Sequence, residues 1–97
     1  MKTGFYYHYK HTDKNIVNYA YEVLGVSLNT EEGTESVIYR PLYEDSYLGF
    51  RDFYARPKEM FLEDVIHKET QIPRFTKIED KKLIAELIKI RDQKYSS

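Results

Sequence analysis

The longest apolar stretch of the chain, residues 16–27, constrains the fold more than any other feature. Read at the two-residue spacing of a β-strand, one of its faces carries Tyr19, Tyr21 and Val23, and the other carries Ala20, Glu22, Leu24 and Val26. Because both faces are largely apolar, this segment is typical of a strand in the middle of a sheet. A glycine inside it, Gly25, predicts a bulge or a sharp bend.

Shorter segments on both sides of this strand are also rich in tyrosine and β-branched residues, as strands are. We predict strands at residues 5–9, 37–43, 53–56, 62–66 and 72–75. Pro57 ends the strand at 53–56 and starts one helical turn that reaches Phe61. The loop at 29–34 contains Gly33, for which we expect a positive φ.

The end of the chain, residues 79–95, changes to a helical spacing. Its apolar stripe consists of Leu83, Ile84, Leu87, Ile88 and Ile90. We therefore predict an amphipathic helix over about residues 79–94, with basic residues near its end that suit the helix dipole. Thr76 and Glu79 have the spacing of a capping box, and Asp80 is the other candidate for the N-cap.

These patterns predict a single mostly β domain, residues 1–97, with a β core at 5–78 and a C-terminal α-helix at 79–95. About five short strands that bend strongly, closing or half-closing into a β-barrel, would bury both faces of the sheet and limit its exposed edges. The helix would then cover an open end of the barrel, pack across one face, or form the contact of a homodimer.

The composition excludes several classes of function. The chain has 97 residues, 15 basic and 16 acidic side chains and a formal net charge of −1, so it lacks the long-range field that gathers nucleic acid or anionic lipid. It has no cysteine, which excludes a disulfide framework, a thiol nucleophile and a thiolate metal site. No apolar run approaches a membrane span and no signal peptide is visible, so we expect a cytoplasmic protein.

Several short motifs, taken in their order and spacing, resemble a family of short bacterial proteins called domain of unknown function 1653 (DUF1653). They run from Tyr7-His8-Tyr9-Lys10 through Tyr21-Glu22-Val23-Leu24-Gly25-Val26, Thr30-Glu31 and Val37-Ile38-Tyr39-Arg40-Pro41-Leu42-Tyr43 to Ala55-Arg56-Pro57, Met60-Phe61 and Pro73-Arg74-Phe75. The resemblance covers about residues 5–78 and implies a compact SH3-like fold whose activity is uncharacterised.

The chain departs from the pattern of this family at four places. His11 to Asn15 replace a tight Lys-Gly turn, and Leu28-Asn29 stand where members often have a histidine. The loop at 44–52 is longer than in typical members, and the helix after Ile78 lies beyond the family core.

Three arginines on or beside different strands provide the best hypothesis for a site. Guanidinium groups bind carboxylate or phosphate through paired hydrogen bonds, and tyrosines could form the walls of such a pocket. We therefore predict a non-catalytic binding module that recognises an anionic group on a small ligand or a protein partner. The candidate residues are Tyr39, Arg40, Tyr43, Arg56 and Arg74, with Glu22 and His8 beside them.

The sequence leaves alternatives open. Arg40 shares a strand face with apolar residues, so it could instead form a structural ion pair with Glu22. A small hydrolase or transferase could use Glu22 or Glu31 together with His8, although nothing sets these groups at a working separation. His8, His11 and His67 do not have the spacing of a metal site, and we predict no metal and no cofactor. Nucleic-acid binding through exposed tyrosines is the weaker interpretation, because the isoelectric point is about 6.3.

Overall fold

Five strands form an antiparallel sheet in the computed structural model, which describes residues 1–43 and 53–95. The elements of these residues are β1 (Gly4–His8), β2 (Ala20–Leu28), β3 (Glu35–Pro41), β4 (Tyr54–Pro57), α1 (Lys58–Phe61), β5 (Asp64–His67), β6 (Thr70–Pro73), β7 (Phe75–Lys77) and α2 (Lys81–Lys94). The sheet has the order β4-β3-β2-β1-β7, and β5 and β6 form a separate hairpin. The predicted long loop at 44–52 lies outside the described residues.

The central position of β2 and the bulge beside Gly25 confirm two predictions. β2 pairs with β1 on one side and β3 on the other, and its register with β3 shifts between Val23 and Gly25. The predicted start at Ile16 was wrong, because residues 16–19 form a turn in which the Ala20 N–H donates to the Val17 carbonyl at 3.1 Å. Ile16 and Val17 pack against the cluster that contains Leu87 of α2, which explains why they are apolar. Because they are apolar, the sequence pattern extended the strand over them.

The predicted last strand at 72–75 is divided at Arg74. The backbone of Arg74 accepts a hydrogen bond from the Tyr9 N–H and donates one to the Glu63 carbonyl, at 2.9 and 3.0 Å. The backbone of Arg74 thereby joins the β5–β6 hairpin to the end of β1. Residues after it pair with β1, so that His8 lies opposite Phe75.

The sheet curls strongly but is not a closed barrel. The rings of Tyr39 on β3 and Phe75 on β7 have centroids 5.9 Å apart, whereas a flat sheet would separate these strands by about 14 Å. Among the described residues, the two outer strands β4 and β7 share no backbone ladder. Both strands are very short. The ring of Phe61, in α1 directly after β4, stacks on the ring of Phe75 in β7 with centroids 4.0 Å apart, so side chains join the two edges of the sheet. The mostly β class is confirmed, and the closed barrel is corrected to a curled open sheet.

The concave face of this sheet is filled by aromatic rings. Its buried residues are Tyr6, Tyr21, Val23, Val37, Tyr39, Phe61 and Phe75. Most of the ring pairs meet edge to face, the geometry that the ring quadrupole favours. α1 contributes Phe61, which is 1% exposed. We call this side of the sheet the concave face.

The opposite side, which we call the helix face, is covered by α2. Phe5, Ala20, Leu42 and Ile78 on the sheet side form a buried cluster with Leu87 of the helix. The helix begins at Lys81 rather than 79, because the Asp80 side chain accepts from the backbone N–H groups of Lys82 and Leu83 at 2.9 and 3.1 Å. No helix in residues 1–43 and 53–95 is long and apolar enough to cross a membrane.

Replacing Leu87 by alanine tests the packing of α2 on the sheet. Leu87 is 0% exposed, so Leu87→Ala removes a fully buried side chain and should lower the free energy of unfolding by about 3 kcal/mol. Denaturant unfolding followed by circular dichroism measures the change. Lys89→Ala on the exposed side of the same helix is the control, with an expected effect within about 0.5 kcal/mol. Equal effects of the two variants would contradict this packing.

Candidate functional site

The predicted site residues lie on two different faces of the sheet. Arg40 is paired with Glu22 across the β2–β3 ladder and lies on the helix face. Its neighbour Tyr39 is in the aromatic cluster of the concave face. Arg56 is the strand partner of Val37, which belongs to the same cluster, so Arg56 also lies on the concave face. Successive residues of a strand point in opposite directions, so Arg40 cannot join Arg56 in one groove. The predicted groove with all three arginines is therefore not formed.

On the helix face, Glu22 forms a network with two arginines. Its Oε1 accepts from Arg40 Nε and NH2 at 3.0 and 2.9 Å, and its Oε2 accepts from Arg91 NH1 at 2.8 Å. The hydrogen bond to Glu22 raises the pKa of Arg91 more than any other contact does. The guanidinium of Arg40 also lies 4.0 Å from the ring centroid of Tyr95. These contacts attach α2 to the sheet, so Glu22 and Arg40 are structural.

Sequence reasoning identified the Glu22–Arg40 pair but missed Arg91. Arg91 lies 69 residues from Glu22 in the chain, and the sequence pattern marks it only as a basic residue near the helix end. Its position directly after the apolar Ile90 was the available signal, because long basic side chains next to an apolar stripe often reach back over the core.

On the concave face, His8 lies among aromatic rings and near three cations. The ring centroids of Tyr9, Phe75 and Tyr19 are 4.4, 5.1 and 5.5 Å from that of His8. Burial, followed by the charges of Arg56, Lys10 and Arg74, lowers the pKa of His8 to about 4. The Lys10 backbone N–H donates to His8 Nδ1 at 3.2 Å, so the proton of the neutral ring is on Nε2.

Arg56 differs from the other described arginines in its partners. Its Nε donates a long hydrogen bond of 3.4 Å to the Tyr39 hydroxyl, and its guanidinium is 5.7 Å from the ring centroid of Phe75. Within residues 1–43 and 53–95 it has no carboxylate within 4.0 Å. By contrast, Arg74 binds Glu63 at 2.6 Å, and Arg40 and Arg91 both bind Glu22.

The remaining predicted residues lie around this group. The Tyr43 hydroxyl is 2.5 Å from that of Tyr21, and its ring centroid is 5.8 Å from that of Tyr19. Arg74 is close enough to His8 to lower the pKa of that imidazole, and its Nε is buried without a hydrogen-bond partner in the described part of the chain. Tyr39, Tyr43, Arg56 and His8 therefore share the concave side, and the charge of Arg74 acts on His8 from the segment between β6 and β7. Sequence reasoning missed Tyr19 and Phe75, which it treated only as strand residues.

The predicted pairing of a glutamate with His8 for hydrolysis or group transfer is not formed. Glu22 is on the helix face, on the other side of the sheet from His8. Glu31 lies in the exposed loop after β2, where its N–H donates to the Asn29 side chain. Neither carboxylate is hydrogen-bonded to His8, so neither of these two glutamates forms an acid–base pair with it.

The three histidines are held in separate environments. His11 stacks on Tyr7 at 3.6 Å and its Nδ1 is 2.7 Å from the Asn18 carbonyl, while His67 meets the ring of Tyr9 edge to face. No group of three or more His, Cys, Asp or Glu in the described ranges could hold a metal ion.

Replacing Glu22 tests whether the charge network holds the helix. Glu22→Gln would leave two partly buried guanidinium groups without their carboxylate and should destabilise the protein by about 3 kcal/mol. Chemical denaturation gives the free energy of unfolding. Glu31→Gln, in an exposed loop, removes the same charge and should have little effect. A stability of Glu22→Gln equal to that of the wild type would show that the network contributes nothing.

The neutral state of His8 makes stability depend on pH. Its pKa is about 4 when folded and 6.5 when unfolded, so the unfolded chain binds more protons between these values. The stability that His8 contributes is fully present above pH 6.5 and is lost as the pH falls through about 4. His8→Asn should therefore lose less stability than the wild type over this interval. The imidazole C–H resonance of His8 in NMR should titrate with a midpoint near 4, and a midpoint near 6.5 would rule out this environment.

Comparison with known proteins agrees with the observed fold. A crystal structure of a DUF1653 protein from Bordetella bronchiseptica superimposes with a TM-score of 0.65 and 24% sequence identity, over 80% of this chain and 87% of that chain. At this identity the likeness shows a shared fold only. No curated protein matches the chain. The family described as "Protein of unknown function (DUF1653)" matches residues 4–77, which include the whole curled sheet, and the chain therefore belongs to the DUF1653 family.

Proposed function

We propose that this protein is a non-catalytic binding module that recognises an anionic group through Arg56 on the concave face. The observation that carries the proposal is the contrast among arginines. Arg40, Arg74 and Arg91 each bind a carboxylate, whereas Arg56 has none within the described residues. A half-buried guanidinium is costly without an anionic partner, which a ligand would supply.

The groups around Arg56 favour an oxyanion. The Nε2–H of the neutral His8 is a hydrogen-bond donor, because its Nδ1 already accepts from the Lys10 backbone. A guanidinium and an imidazole N–H on the same face together suit a carboxylate or a phosphate, whose charged oxygens accept hydrogen bonds. The buried Tyr39 and Phe75 rings hold Arg56 in place and form an apolar floor beneath it.

The charges near His8 support the same ligand class. The charges of Arg56, Lys10 and Arg74 all lower the pKa of His8, as a positive local potential does. Glu63 offsets the charge of Arg74, at 2.6 Å, which leaves Arg56 and the exposed Lys10 as the cations of this group without an ion pair among the described residues. An anion bound beside Arg56 would therefore enter a region of positive potential.

Replacing Arg56 tests this proposal. Wild-type protein titrated with inorganic phosphate, and separately with acetate, should bind at least one of them, and Arg56→Gln should weaken that binding about tenfold or more because a charge-assisted hydrogen bond is lost. Isothermal titration calorimetry measures the dissociation constants. Lys58→Gln is the matched control, because it removes the same charge two residues away, from a group paired with Glu35 at 3.7 Å.

Two outcomes would contradict the proposal. One is an Arg56→Gln variant that binds the anion as tightly as the wild type does. The other is a wild-type protein that binds neither phosphate nor acetate. A loss of binding in Lys58→Gln equal to that in Arg56→Gln would indicate a general effect of net charge and would also contradict a role specific to Arg56.

A further inference from the structure

We infer that the second half of β2, residues 24–28, is an open sheet edge that pairs with the same segment of a second copy of this chain. The two segments run antiparallel across a two-fold axis beside Val26, so that the sheet of one copy continues into the sheet of the other. This inference is independent of the proposed anion site at Arg56, because it uses another part of the sheet.

The strand β1 borders only the first half of β2. The pairing of these strands ends at Val23, which lies opposite Gly4, whereas β3 follows β2 to its last residue. The chain before β1 leaves the line of the strand, because the Tyr6 hydroxyl donates to the Lys2 carbonyl at 2.7 Å and an extended chain would separate these residues by about 13 Å. Among the described residues, no strand therefore borders residues 24–28 on this side.

The backbone of this segment has hydrogen-bonding groups that point to the open edge. The Asn29 N–H donates to the Thr34 carbonyl at 2.8 Å, at the end of the β2–β3 ladder. Residues that bond across an antiparallel ladder alternate with residues that do not, so the N–H and C=O groups of Val26 and Leu28 point away from β3. Such a row of groups is the template to which another strand is added.

The side chains along the edge are apolar and exposed. Leu24 and Val26 are 37% and 36% exposed, and Leu28 is 61% exposed. These side chains leave apolar surface in contact with water, and a second strand beside β2 would cover part of it.

The other outer strands of the described residues carry groups that discourage pairing. β4 ends at Pro57 and β6 at Pro73, while β5 contains Asp64 and β7 contains Lys77. Prolines and charged side chains are the means by which proteins keep the edges of their sheets from pairing. Residues 24–28 contain neither, so this is the edge that is open to another strand.

The charges at the two ends of the edge favour a second copy as the occupant. At one end, the loop after Leu28 carries the exposed Glu31 and Glu32. At the other end, the Lys77 ammonium lies 3.5 Å from the position that a Cβ atom would take on Gly4. Antiparallel pairing across a two-fold axis brings the acidic end of each copy to the basic end of the other, so the edge is complementary to itself.

The length of the edge sets the strength of the dimer. Five residues span about 17 Å, and a pair of such segments buries less than the roughly 1,200 Å² of a stable interface. We therefore expect a weak dimer that forms only at high protein concentration.

Sedimentation velocity of the wild-type protein from about 1 μM to about 1 mM tests the pairing. The weight-average mass should rise with concentration from 11.7 kDa toward twice this value. Val26→Lys should weaken the dimer about tenfold, because it removes two apolar side chains from the contact and sets two like charges opposite each other. Ile66→Lys is the matched control, because it adds the same charge at a β-branched residue of β5 that is 72% exposed, and it should dimerise as the wild type does.

Three results would overturn the inference. A mass of 11.7 kDa at every concentration would leave the edge to a strand of another protein. A Val26→Lys dimer as strong as that of the wild type would place the contact on another surface, such as the outer side of α2. Equal weakening in Val26→Lys and Ile66→Lys would indicate a general effect of charge.

A second measurement needs no variant and decides the matter if Val26→Lys does not fold, which its thermal unfolding shows. The amide NMR signals of residues 24–28 in the wild-type protein should shift as the protein concentration rises. Constant signals from this segment, beside a rising mass, would also overturn the inference.

Discussion

Side chains along β2 and β3 point alternately to the two faces of the sheet, and this alternation governs the rest of the structure. One face carries the aromatic cluster, and the other packs against α2. Tyr21, Val23 and Tyr39 point into the aromatic cluster of the concave face, while Glu22 and Arg40 point toward α2. The same rule divides the arginines. Those that face the helix are neutralised within the fold, and Arg56 lies on the other side among rings.

The two faces use their charged groups in different ways. On the helix face, the Glu22 carboxylate binds both Arg40 of the sheet and Arg91 of α2, beside the apolar contact between them. This ion-pair network fixes the position of α2 on the sheet. On the concave face, His8 is kept neutral and Arg56 lacks a carboxylate among the described residues. An imidazole N–H donor near a guanidinium that has no carboxylate in the described ranges is the arrangement that we propose binds an anion.

Local patterns predicted much of this fold, and the failures have a common cause. The central strand, the bulge at Gly25, the helix and the pair of Glu22 with Arg40 follow from spacing and from the cost of burying charge. The pairing of β1 with β7, and the curl that brings Phe75 onto Phe61, depend on contacts between distant parts of the chain. No local pattern contains them, so the surroundings of Arg56 could not be read from the sequence. The apolar stripe of α2 packs against the sheet within one chain. A homodimer contact through the outer side of this helix stays a prediction.

Amide chemical shifts in a titration with inorganic phosphate report which face of the sheet the anion reaches. We expect the largest changes at the end of β1, in β4 and at the start of β7, around His8, Arg56 and Phe75. Changes centred on Arg40, Arg91 and Tyr95 would place the anion on the helix face and would contradict an anion site at Arg56.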